Sequence, residues 1–338
     1  MRPNRKSVTI HDVADAAGVS ISTVSRVLND KDDVAQETYE RVQQVISEMG
    51  YTSSLAARGM RSRRTNVIGL IMPDVIAPYS VAVMQGVNRA IAQLDYDLII
   101  YTNGDISKNT SADQESFFVG LLNGSITDGV IVVTPAATNF STAAPVVAID
   151  PNNESPECPA IISTNHDGAL QAMNYLTSLG HCRIGFITGR LELVSAIRRL
   201  QGYKDGLAAS GIPLDEDLIQ TGDFTTETAV VCAHALLSLP NPPTAIFAAN
   251  DMSAMGVYQA AAERSVRIPE DLSVVGFDDL RESLYLNPAL TTVSQFVPEM
   301  GYIAIEMLVK LMRGETLKND LHKIQTELVV RNSCRNQF

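Results

Sequence analysis

No apolar run in the chain reaches the roughly 18 residues that a membrane helix needs, so nothing in it reads as a span. The opening Met1-Arg2-Pro3-Asn4-Arg5-Lys6 lacks the apolar stretch of a secretion signal, and the expected compartment is the cytoplasm. Cysteine is sparse. Cys158, Cys182, Cys232 and Cys334 form no C-x-x-C pair and no zinc spacing, and read as plain thiols in a reducing compartment. Five scattered histidines argue against a metal cluster, and neither cofactor nor metal is expected. Walker A, G-x-G-x-x-G and G-x-S-x-G motifs are missing, which leaves an enzyme reading without a reacting constellation.

What is present is a 338-residue chain, 45% hydrophobic and 19% charged, long enough for two or three domains with a sizeable core. Its net charge of −12 argues against nucleic acid only when read globally. Residues 1–64 hold ten Lys and Arg against eight Asp and Glu, a net charge of +2. Phosphate attraction acts over about a Debye length, roughly 8–10 Å, so local charge decides. The basic residues gather at the extreme N-terminus and at Arg58–Arg64.

Val8 to Asn29 reads as two short helices around a tight turn. Thr9 is placed to cap the first, with Asp12 as the capping-box acid. Val13, Ala14 and Ala17 make an apolar face. Gly18 takes the turn, where a left-handed backbone is cheap only for glycine. Ser20 caps the second helix, with Val24, Val27 and Leu28 inward. Ile21, Ser22, Ser25 and Arg26 then point outward, a pattern that suits the DNA major groove. A third helix over 36–49 closes a small core through Tyr39, Val42, Val45, Ile46 and Met49. From residue 66 the pattern becomes alternating strand and helix. Apolar runs at 67–72, 98–101, 130–133, 146–149, 184–188, 245–248 and 272–277 alternate with helical segments near 79–93, 167–179, 195–209, 226–238 and 251–264. Repeated strand–helix units predict parallel sheets with helices on both faces.

Val8-Thr9-Ile10-His11-Asp12-Val13-Ala14 through Ser25-Arg26-Val27-Leu28-Asn29 resembles the N-terminal signature of the lactose-repressor (LacI/GalR) family of bacterial transcription regulators. The likeness runs from about Val8 to about Val330. It implies an all-α helix-turn-helix headpiece over 1–52, a hinge helix or linker over 53–65, and an α/β two-lobed periplasmic-binding-protein-like core over 66–338. The lobes would be about 66–163 with 293–322, and 164–292 with 323–338, the chain crossing near 163, 292 and 322. The expected partners are a palindromic operator and a small-molecule effector, with a homodimer or tetramer as the working, nucleoid-associated unit. Thr9, Ser20, Ile21, Ser22, Thr23, Ser25, Arg26 and Asn29 are the headpiece DNA candidates, and Ala56, Arg58, Met60 and Arg61 those of the hinge. The family's usual minor-groove wedge is leucine, here Met60. Gly59 departs further, since glycine inside a helix costs about 1 kcal/mol. Ala35 replaces the family's usual capping serine.

In open α/β sheets, ligands sit at the carboxyl ends of strands. Here those ends carry Asp74, Asp150, Asn250-Asp251 and Asp278-Asp279. The resemblance maps effector contacts onto Arg199, Asn250, Asp278, Asp150 and Gln295, and an aromatic stacking role onto Phe224. Tyr79 and Asp74 join them by position. Acidic and amide acceptors with one Arg and an aromatic face suit the hydroxyls and C–H side of a sugar or polyol. Asp251 and Asp279 read instead as caps of the helices that follow, and Asp74 reads equally as a turn residue. Val133 stands where the lactose repressor has asparagine. A purine- or nucleoside-responsive regulator is the alternative, and a solute-binding protein without DNA activity a remoter one.

Overall fold

The computed structural model describes residues 8–28, 31, 33–51, 64–102, 112–123, 126–142 and 144–337. They fall into two units, one ending at Thr65 and one starting at Asn66. In the first, Thr9 caps α1 (Ile10–Ala17) through a complete capping box with Asp12, and Gly18 closes it in the left-handed region at φ 64°. Ser20 accepts the Thr23 amide at 3.1 Å and so caps α2 (Ile21–Leu28). The helix α3 (Gln36–Met49) starts at Ala35 with no side-chain cap, as the sequence foretold. Val13, Ala14, Ala17, Val24, Val27 and Val42 form the core, with Tyr51 against it.

The second unit has two lobes, each built on a six-stranded sheet. The first sheet runs in the order β11 (Leu321–Ile324), β5 (Ala160–Ser163), β4 (Val146–Ile149), β3 (Gly129–Val133), β1 (Val67–Ile71), β2 (Asp97–Tyr101), all parallel. The helices α4 (Pro78–Ile91) and α10 (Val297–Met312) cover one face and α5 (Ala112–Leu122) the other. Strand alternation divides these faces: Ile131 and Val133 pack under α4 and α10, Val130 and Val132 under α5.

The second sheet runs β12 (Glu327–Val329), β10 (Thr291–Ser294), β9 (Ser273–Asp278), β8 (Ala245–Ala248), β6 (Ile184–Ile187), β7 (Ile219–Gln220). Its pairings are parallel apart from that of β10 with β12. The helices α6 (Asn165–Ser178) and α7 (Val194–Ala209) cover one face, α8 (Thr226–Leu237) and α9 (Asp251–Glu263) the other. The chain crosses at Thr164, between Ser294 and Val297, and between Ile324 and Glu327. The last two crossings fall slightly later than expected. Strand β10 pairs with β9 through Ser294, and β11 with β5 through Ile324, so residues 293–294 and 323–324 change lobe.

Candidate functional site

On α2, Ile21, Ser22 and Arg26 are exposed, while Thr23 and Ser25 are half-buried. The hydroxyls at the helix start form a cluster: Ser20 Oγ lies 2.7 Å from Ser22 Oγ and 2.8 Å from Thr23 Oγ1. Thr9 donates its hydroxyl to Asp12 at 2.7 Å, so its side chain serves the cap. Arg26 sits 3.4 Å from Asp33 in an exposed pair, which is weak enough to exchange for a phosphate. Asn29, Ala56, Arg58, Met60 and Arg61 lie outside the described residues.

Between the lobes lies a cavity of about 210 Å³. All eight expected effector residues, Asp74, Tyr79, Asp150, Arg199, Phe224, Asn250, Asp278 and Gln295, line it. Thr134, Arg190 and Ser195 line it as well, unforeseen from the sequence. Strand ends bring these side chains in through left-handed backbone: Thr134 at φ 47°, Asp150 at 49°, Phe224 at 73° and Asp278 at 115°. Non-glycine residues persist there only where the surroundings hold them, and such positions cluster at ligand sites. Gly189 makes room for the aromatic wall, since a Cβ there would fall 2.0 Å from the Phe224 ring.

The second lobe's half of the cleft is already hydrogen-bonded, mostly within itself and through Gln295 to Ser163 of β5. Arg199, only 3% exposed, donates from Nε to Asn165 Oδ1 at 2.8 Å and from one terminal nitrogen to the Ala249 carbonyl at 2.5 Å. Its guanidinium lies 3.8 Å from the Phe277 ring centre and 3.4 Å from Asp278 Oδ1. Gln295 donates to the same Asp278 oxygen at 2.6 Å and accepts from Ser163 at 2.8 Å. Burial pushes the Asp278 carboxyl up to about 6, against the lowering pull of Arg199 and Gln295. Asn250 reaches the cleft with both ends engaged: its oxygen caps α9 by accepting from Ser253, and its amide holds the Phe224 carbonyl at 3.1 Å. Its clearest contribution is to fix Phe224.

The first lobe's half is different. The ring of Tyr79 is half-buried, yet its hydroxyl oxygen is shielded and has no hydrogen-bond partner among the described residues. Burial, then the nearby Asp150 and Asp278 carboxylates, push its ionisation well up, so it stays a neutral donor. Asp150 is also pushed up by burial, partly offset by Arg199. Its carboxylate accepts no hydrogen bond among the described residues. Asp74 accepts from the Ile76 amide at 2.9 Å and so forms the turn it equally suggested.

Two capping expectations are corrected. Asn250 occupies the cap of α9, and the fully buried Asp251 instead accepts from the Leu280 amide at 2.8 Å and from Thr292 at 2.5 Å. Asp279 pairs with Arg331 at 2.5 Å, and the short 3-10 turn Arg281–Leu284 that follows has no side-chain cap. Both partners lie far along the chain, where local spacing gives no sign of them.

Residues 9–54 match the bacterial regulatory proteins of the lacI family, and residues 173–334 a periplasmic binding protein-like domain. The chain is 33% identical to the ribose operon repressor of Haemophilus influenzae (strain ATCC 51907 / DSM 11121 / KW20 / Rd), with 96% of each covered. It is 32% identical to the HTH-type transcriptional repressor CytR of Escherichia coli (strain K12), with 97% of each covered. The crystal structure of the lac repressor dimer bound to operator and the anti-inducer ONPF superimposes with a TM-score of 0.84 at 27% identity, covering 98% of this chain and 100% of that one.

Proposed function

The chain belongs to the lacI family of bacterial regulatory proteins, and we propose that it is a repressor whose operator affinity is set by a sugar or polyol bound between its lobes. One observation carries the effector class. Among the described residues the Tyr79 hydroxyl has no hydrogen-bond partner and the Asp150 carboxylate accepts no hydrogen bond, and both line the cleft with the ordered Arg199–Asp278 pair and the Phe224 ring. A sugar ring supplies hydroxyls for the first group and an apolar C–H face for the ring. Leaving a shielded hydroxyl such as that of Tyr79 unmatched costs about 1–3 kcal/mol, so a ligand that pairs it gains that much from closure.

Operator recognition falls to α2, with Ile21, Ser22 and Arg26 towards the major groove. The working unit is a homodimer, as in the lac repressor structure, and lies in the cytoplasm with its DNA. Exposed apolar side chains at Ile76, Phe117 and Leu121 on the first lobe fit a protein contact. No catalytic step is part of this reading. Among the described residues no helix is long and apolar enough to cross a membrane.

Two experiments test the reading. Thermal unfolding of the full-length protein is followed with glucose, galactose and ribose against hypoxanthine, adenosine and cytidine. Stabilisation by a sugar is expected. Stabilisation by a purine or nucleoside alone would replace the effector class. On the DNA side, substitutions at Ile21 and Ser22 should change the preferred operator in a selection experiment, because base contacts carry sequence information and phosphate contacts do not. An unchanged preference would remove α2 from the recognition surface.

A further inference from the structure

A second cavity of about 280 Å³ adjoins the cleft. It lies where β5 passes into α6 and where α7 begins, with β11 beside it. Asp150 and Ser195 line both cavities. Beyond them the wall carries Asn153, Glu154, His166, Arg198 and Lys323 beside the apolar Pro151, Ile162 and Val194. His166 is oriented by Asp205 at 2.8 Å, and Arg198 pairs with Glu154 on the exposed wall.

The two shared residues are the informative ones. The Asp150 carboxylate and the Ser195 hydroxyl make no hydrogen bond among the described residues, and each lies at the join between the two cavities. Both residues line the cleft as well, so a ligand confined to it can already pair with them. One that passes through the join uses an acceptor and a donor already in place. Acidic and basic groups are mixed along the second wall, with Asp150, Glu154 and Asp167 facing His166, Arg198 and Lys323. Such a wall favours a neutral unit over a phosphate or a uronate. It has no aromatic side chain other than the His166 ring, so its polar groups suit hydroxyls, with apolar C–H against Pro151, Ile162 and Val194, better than a stacked base.

We infer that the effector is a two-unit ligand, a disaccharide or glycoside. Its first ring lies against Phe224 in the cleft, and its second polyhydroxyl unit enters the adjoining cavity between Asn153, His166, Arg198 and Lys323. Asp150 and Ser195 hold the linkage region. This rests on the reading of the cleft as a sugar site.

Calorimetry on the full-length protein separates the two claims. The probes are glucose and galactose against cellobiose, maltose, trehalose, lactose and melibiose, with adenosine, cytidine and hypoxanthine as the competing class. At least one disaccharide should bind about tenfold or more tightly than its constituent monosaccharides, the value of one charge-assisted hydrogen bond. Arg198→Ala and Lys323→Ala change exposed side chains and should fold normally. Each should cut the disaccharide-to-monosaccharide affinity ratio several-fold, towards one. Monosaccharides binding as well as disaccharides, or a ratio unmoved by both variants, overturns the two-unit ligand and leaves the sugar site standing. Binding of nucleosides or hypoxanthine without any sugar, or of none of these probes, overturns the sugar site and the inference with it.

Discussion

The two lobes share a six-stranded sheet flanked by helices, yet they bring opposite kinds of surface to the cleft. The second lobe's groups are bound to one another before any ligand arrives: Arg199 to Asn165, Ala249 and Asp278, and Asn250 to Phe224. The first lobe's groups are unmatched among the described residues, the Tyr79 hydroxyl lacking a hydrogen-bond partner and Asp150 accepting no hydrogen bond. A preorganised platform thus faces a set of open valences. The difference explains how a small molecule can move a domain. A ligand shifts an equilibrium only by its differential affinity for the two states. Groups that pair only when a ligand bridges the lobes supply such a difference, whereas groups already paired supply affinity and geometry.

Breaking the platform should have the largest effect. Arg199→Ala leaves the buried Asp278 carboxylate without its cation, and Asn165 and the Ala249 carbonyl without a donor. Removing one partner of a buried pair costs about 3–5 kcal/mol. Denaturant unfolding should show a loss of that size in the second unit, and sugar should no longer change operator affinity. A loss under about 1 kcal/mol would mean that the platform is not held together as described.

Titration should come next in size. Asp278 is raised from 3.8 to about 6, so the folded protein binds this proton more tightly than the unfolded chain does. The stability it contributes is therefore greatest below about pH 4 and declines as pH rises from about 4 to about 6. On the proposed sugar reading, ligand hydroxyls donate to the ionised carboxylate, which gives binding the opposite slope. Affinity should rise by up to about tenfold per pH unit below 6 and level off above it. Calorimetry between pH 5 and 7.5 should show this rise, with a weaker and flatter profile in Asp278→Asn.

Tyr79→Phe sharpens the comparison with the smallest change. It deletes an unmatched hydroxyl, so the ligand-free protein should keep its stability or gain about 1 kcal/mol. Sugar binding should weaken about two- to tenfold, the value of a single hydrogen bond between neutral groups. A loss of ligand-free stability would show that the hydroxyl already has a partner.

Much of this architecture is legible in the sequence because apolar runs end in polar punctuation. Val146–Ile149 before Asp150 and Ala245–Ala248 before Asn250 announce both strand and site. Other elements give weaker signals. The helix α5 exposes Phe117 and Leu121, and α10 is apolar around most of its circumference, so neither shows a clean stripe. The strands β11 and β12 are short edge strands with few buried residues. Within the site, the sequence shows which carboxylates stand at strand ends but not which are already engaged. Asp251 is taken by Thr292 and Asp279 by Arg331, partners contributed by other elements of the fold. The second cavity is hidden for the same reason, since Asp150, His166, Arg198 and Lys323 come from four separate segments.

Linkage provides the most direct test of an effector-controlled repressor. Operator affinity of the full-length protein is measured with and without a saturating binding sugar, and the affinity for that sugar is measured with and without operator. Thermodynamics requires the two factors to be equal, and the arrangement of the cleft predicts that both differ from one, by about 5–150-fold. It also predicts that Tyr79→Phe reduces both factors together. A sugar that binds the cleft while leaving operator affinity unchanged would contradict it.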